Sequence, residues 1–220
     1  MKTYTLTGLA LILAASWAFA QTPPTPSTSA NSASAMSPSN TPAFRDHTLA
    51  ENPDLTPEEI GRRFLKLVDS LHSFSDLTLE RMRKVTGLPM YYVPASSSYG
   101  FGMHLPESGW YYYLSYSDYP QDLKNASYDF HNKDRIADMG PVCGMDYDAY
   151  ATALQAIGFK ERPDLAQYDI GPDGIHRMPE VAYTRNDVMV KIFPSGQAVA
   201  PEAKLHHSCV KSICVIQGVY

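Results

Sequence analysis

The side chains with the most reactive chemistry in this chain are its three cysteines, Cys143, Cys209 and Cys214. Cys143 sits in "GPVCGMD", just ahead of a helix expected in "MDYDAYATALQAIGF". A helix N-terminus lowers a thiol's pKa and makes it nucleophilic. His176, His206 and His207 follow it in the chain and are candidates for its general base. Together they would make a thiol-dependent hydrolase, but only if Cys143 is free. In an oxidising compartment, three cysteines give one disulfide and one leftover thiol. Cys209 and Cys214 are too close in sequence to pair along one straight strand, where roughly 16 Å and opposite faces would separate them. They pair only if "VKSI" turns the chain; otherwise one of them reaches Cys143. The two outcomes stand close, with the local Cys209–Cys214 bridge slightly favoured.

A cysteine at a helix start with a histidine on a later strand resembles the papain-like cell-wall peptidases of bacteria. The likeness covers a handful of residues, and the Asp-Cys-Ser-Gly run and His-Val-Gly-like strand of such enzymes are missing. The remaining chemistry is sparser. His206 and His207 are adjacent, so on a strand they point to opposite faces and do not grip one ion. His104 and His131 are isolated, and Asp146 with Asp148 is explained by helix capping and the helix dipole. There is no Gly-rich phosphate loop, no Gly-x-Ser-x-Gly elbow and no zinc-type cysteine spacing. No metal and no cofactor is expected.

The stretch "YGFGMHLPESGWYYYLSY", residues 99–116, offers a different kind of site. A hairpin around Pro106–Gly109 pairs Leu105 with Trp110, Met103 with Tyr112, Phe101 with Leu114 and Tyr99 with Tyr116. Side chains alternate along a strand, so these eight share one face, and a one-residue slip would scramble it. The opposite face receives His104 beside Tyr111, Gly102 beside Tyr113 and Gly100 beside Ser115. Tyrosine and serine together suit recognition, because tyrosine supplies contact area with little rotamer entropy to lose. Tyr111, Tyr113, Tyr119, Gly100, Gly102 and His104 are therefore the candidate binding residues, the glycines leaving bare backbone for a partner's approach. The competing expectation is that this face is filled by its own rings or covered by a helix.

Other elements must position that hairpin. "LTPEEIGRRFLKLVDSLHS" reads as a helix, with Thr56 as cap, Pro57 in the first position and Glu59 completing a capping box. Ile60, Phe64, Leu67, Val68 and Leu71 form its apolar stripe, and Glu58–Arg62 and Glu59–Arg63 its surface pairs. "DLTLERMRKVTG" is a second helix, stopped by Gly87. "MYYV" and "ASYDFHN" are strands, "EVAYTRNDVMVKIF" a hairpin turning at Asn186 and Asp187, and "KLHHSCVKSICVIQ" supplies the last strand. The fold class that results is α+β. One antiparallel sheet of hairpins carries two N-terminal helices and one later helix on one face.

The first twenty residues, "MKTYTLTGLALILAASWAFA", read as a Sec-type signal peptide cleaved after Ala20. Its apolar run is too short to span a bilayer comfortably, and no later segment is apolar enough to do so. Residues 21–45 are nearly all Thr, Pro, Ser, Ala and Asn and read as a disordered tether. Residues 46–220 are expected to form a single domain. A formal net charge of −5 argues against the basic face that phosphate neutralisation requires, so no nucleic-acid partner is expected. The sequence thus reads as an exported, periplasmic or extracellular, non-enzymatic binding protein. Its expected partner is another secreted or envelope protein, in the manner of an inhibitor or immunity protein, with the Cys143 hydrolase as the alternative.

Overall fold

The computed structural model describes residues 44–118, 124–165, 180–195 and 208–218, and the backbone of 168–171 and 174–177. The expected signal peptide lies outside the described residues, as do Tyr119, His206 and His207 and all of the expected tether but Phe44 and Arg45. Helix α1 (Pro57–Asp69) begins where its cap predicts, the Thr56 hydroxyl accepting from the Glu59 amide at 3.2 Å. Glu59 does not turn back to complete a capping box. Its carboxylate accepts from Arg63 Nε at 2.8 Å, one turn along the helix. The stripe from Ile60 to Leu71 is buried. Helix α2 (Leu79–Thr86) is capped by Thr78 and ends at Gly87, whose φ of 68° only glycine adopts cheaply.

The strands that follow build one nine-stranded sheet. They are β1 (Asp46–Thr48), β2 (Tyr91–Val93), β3 (Ser98–Leu105), β4 (Trp110–Ser117) and β5 (Asn125–Asn132). Beyond helix α3 (Tyr147–Ala156) come β6 (Lys160–Glu161), β9 (Val181–Arg185), β10 (Val188–Pro194) and β11 (Val210–Gln217). The order is β1-β3-β4-β5-β11-β10-β9-β6, with β2 also pairing β3. Between β6 and β9, β7 (Tyr168–Gly171) and β8 (Gly174–Arg177) pair only with each other. All pairings are antiparallel except β1 with β3. The chain is an α+β protein, and the β9–β10 hairpin turns at Asn186, φ 54°, and Asp187 as expected.

Tyrosine hydroxyls bind the helices to one face of the sheet. Tyr112 donates to the Leu55 carbonyl and Tyr128 to the Pro57 carbonyl, both at 2.8 Å, at the entry to α1. The Tyr147 hydroxyl of α3 meets that of Tyr183 on β9 at 2.9 Å. Arg185 closes the far end: its guanidinium donates to the carbonyls of Val68 and Asp69 in the last turn of α1, of Leu71 just beyond it and of Ile157 after α3. Helix C-termini leave such carbonyls without internal partners, so one fork satisfies two helix ends. No helix among the described residues is long and apolar enough to cross a membrane.

The cysteine pairing departs from the sequence expectation. The disulfide joins Cys143 to Cys209, and Cys214 is the free thiol. The favoured Cys209–Cys214 bridge required a turn at "VKSI", and those residues instead stay extended in β11, with a bulge at Lys211, paired with β10 on one side and, from Ser212 on, with β5 on the other. Cys209 reaches Cys143 because the start of α3 is stitched alongside it, with the Tyr147 amide donating to the Ser208 carbonyl at 2.8 Å.

Candidate binding site

The hairpin β3–β4 has the register expected from its alternation. Leu105 faces Trp110, Met103 faces Tyr112, Phe101 faces Leu114 and Tyr99 faces Tyr116. All eight of these side chains pack in or against the core beneath the helices, with Met103, Tyr112 and Leu114 fully buried. The outward set follows from the same register: His104 opposite Tyr111, Gly102 opposite Tyr113, Gly100 opposite Ser115. His104 and Tyr111 stack with ring centroids 4.1 Å apart. Tyr113 is 37% exposed, and with Tyr92 it is one of two large aromatic rings left in solvent among the described residues.

Gly100 and Gly102 are not bare, which corrects the role assigned to them. Both are buried, and what covers them comes from the start of the described chain. A Cβ on Gly100 would stand 3.4 Å from the Phe44 ring, and one on Gly102 would stand 3.3 Å from that ring and 2.6 Å from Asp46 Oδ1. The glycines leave room for β1 and its neighbour to lie over β3. Neither the hairpin's own rings nor a helix does this. Composition assigned Phe44 to the tether, yet it is the only aromatic residue between 21 and 45, and that break was the available signal.

Beyond Phe44 the face stays open as a pocket of about 430 Å³, a size typical of small-ligand sites. Phe44, Tyr111 and Tyr113 contribute rings to it, Asp46 lies at the β1 side, and His131 and Lys133 lie at the β5 side. A second hollow of about 410 Å³ continues past Tyr113 over Asp129 and Ser212 toward Lys211.

A hydrogen-bonded polar row runs between these hollows. The Ser115 and Ser127 hydroxyls meet at 2.8 Å, and the hydroxyls of Ser127 and Ser212 both donate to the Asp129 carboxylate. Burial pushes the Asp129 carboxyl pKa up, and the two hydroxyls pull it part of the way back. Burial, with Asp129 adding to it, also raises the pKa of the Tyr113 hydroxyl. Cys214 lies in the same row, paired with Ser127 and Lys191 on its flanking strands. Its thiol is pushed up to about 11, first by burial, so it is protonated and unreactive at neutral pH.

The hydrolase constellation does not assemble. Cys143 does stand just ahead of α3, but its sulfur is bonded to Cys209 and is no nucleophile. Of its candidate bases, His176 has its backbone on β8, and His206 and His207 lie outside the described residues. Among the described residues no three His, Cys, Asp or Glu side chains gather as a metal-ligand set. Neither a protein-family model, nor a curated protein, nor a solved structure matches the chain.

Proposed function

We propose that this chain is an exported, non-enzymatic binding protein that captures another protein of the envelope on the outward face of β3, β4 and β5. The observation that carries the reading is the ring-lined pocket beside Tyr113, on the sheet face opposite the helices. A site made of tyrosine rings with few rotors loses little entropy on binding, and backing by a hydrogen-bonded sheet holds it ready. The leader-like first twenty residues support export, and a disulfide is compatible with an oxidising compartment. Protein capture for inhibition or immunity is the role such a surface would serve.

The test replaces Tyr111 and Tyr113 together by alanine and measures capture from envelope extract alongside thermal unfolding. The expected outcome is lost capture with stability changed by about 1 kcal/mol or less, the usual range for half-exposed positions. Capture that survives the double replacement would end the reading.

A further inference from the structure

The pocket has a polarity that narrows what it accepts. Asp46 is the only acidic residue among those lining it, and it lies at the β1 side. Its carboxylate is exposed and has no hydrogen bond or ion pair among the described residues, whereas neighbouring Arg45 is committed to Glu51 at 2.9 Å. The absence of a side chain at Gly102 is what lets that carboxylate rest on the sheet, since a Cβ there would come within 2.6 Å of Oδ1. Phe44, Tyr111 and Tyr113 line the space beside it. The basic residues, His131 on β5 and Lys133 just after it, are three strand spacings away from β1, about 14 Å.

Aromatic faces attract cations through their quadrupole, and an unpaired carboxylate beside them supplies the counter-charge. We propose that the pocket seats one basic side chain of the partner protein, its aliphatic stem against Phe44 and Tyr113 and its cationic head on Asp46. Lysine and arginine are built for this, with an apolar stem that packs and a charged tip that does not. An acidic side chain is repelled at the Asp46 side, and a purely apolar one leaves that carboxylate desolvated and unpaired. The inference rests on the reading of this face as a protein-binding surface and adds the chemistry of the group it takes.

The test titrates Nα-acetyl-lysine amide, Nα-acetyl-arginine amide and the uncharged Nα-acetyl-norleucine amide into the ¹⁵N-labelled chain and follows the Gly100 and Gly102 amide resonances. The basic amides are expected to give saturable shifts and the norleucine amide none. Asp46→Asn, which keeps the side chain's shape, should weaken the basic amides about tenfold with an unchanged melting temperature. Equal shifts from norleucine amide, or basic-amide binding indifferent to Asp46→Asn, would overturn the inference. Failure of the parent reading looks different: capture from extract would survive loss of Tyr111 and Tyr113 while the basic amides still bound. Conversely, capture that needs the tyrosines but ignores Asp46→Asn removes the basic side chain and leaves the surface.

Discussion

Asp46 Oδ1 lies 2.6 Å from the point where a Cβ on Gly102 would stand, so the β1 edge strand and the hairpin meet through an atom that is not there. The consequence of filling such a gap depends on what borders it. At Gly102 the neighbour is the tip of an exposed side chain, which can swing away. At Gly144 it is main chain: a Cβ would stand 2.5 Å from the Glu58 nitrogen and 2.8 Å from its Cα, in the first turn of α1. Urea unfolding of the two alanine variants should separate them. Gly144→Ala is expected to cost about 1–3 kcal/mol, as overpacking against immovable neighbours does. Gly102→Ala is expected to cost less than about 1 kcal/mol while displacing Asp46 from the pocket.

Arg185 should be among the most sensitive polar positions. Its guanidinium serves four helix-end carbonyls and rests over the Phe159 ring, 4.6 Å from its centroid. Arg185→Ala removes this donor from all four, the Val68 carbonyl alone keeping the Leu71 amide, and a loss of about 3 kcal/mol is expected in chemical denaturation. Lysine restores one point charge but not the planar fork, so Arg185→Lys should recover only part of it. Full recovery by lysine would show that charge alone, without the geometry, holds the helix ends.

Reduction of the Cys143–Cys209 bond frees a long stretch of chain, the two residues being 66 apart in sequence. Loop entropy released in the unfolded state predicts a loss of about 4 kcal/mol, read from denaturation with and without reductant. Cys214, half-buried and with its thiol pushed up to about 11, should be alkylated more slowly at pH 8 in the folded protein than in the unfolded chain. Non-reducing peptide mapping should recover Cys143 linked to Cys209. Finding Cys209 joined to Cys214 would mean that β11 is not continuous.

Asp129 imposes a pH dependence of the less usual sign. Burial raises its folded-state pKa above the unfolded value, so the folded protein holds this proton more tightly than the unfolded chain does. Its contribution to stability therefore improves as pH falls from above the raised folded pKa toward the unfolded value near about 4. The carboxylates of exposed Glu51 and half-buried Asp76, lowered first by hydrogen bonds from Arg45 and from the Ser73 amide respectively, act in the opposite direction. Asp129→Asn isolates the first effect. The stability difference, variant minus parent, should grow as pH rises through the carboxylate range and then level off. A flat difference would place Asp129 in an environment as wet as the unfolded chain.

The hairpin beneath the candidate site was legible in the residue pattern. The alternation from Tyr99 to Tyr116 around one short loop allows a single register that puts the large rings together, and that register is observed. Capping residues and apolar stripes likewise announced α1, α2 and α3, because helix formation is decided within a few turns of chain. Phe44, Asp46 and Asp129 were not singled out. Phe44 is marked locally only as the lone aromatic residue of its segment, and the roles of all three depend on neighbours from other strands: β3 for Phe44 and Asp46, β11 for Asp129.

Sequence by itself determined which faces each strand and helix would turn inward, since those choices follow from periods of two and 3.6 residues. Only the tertiary structure decided that β1 runs parallel along β3, that its side chains roof the glycines, and that Cys209 bonds Cys143 and not Cys214. Each of these joins residues separated by dozens of positions. Such contacts depend on how the chain returns through space, and no local spacing carries that information.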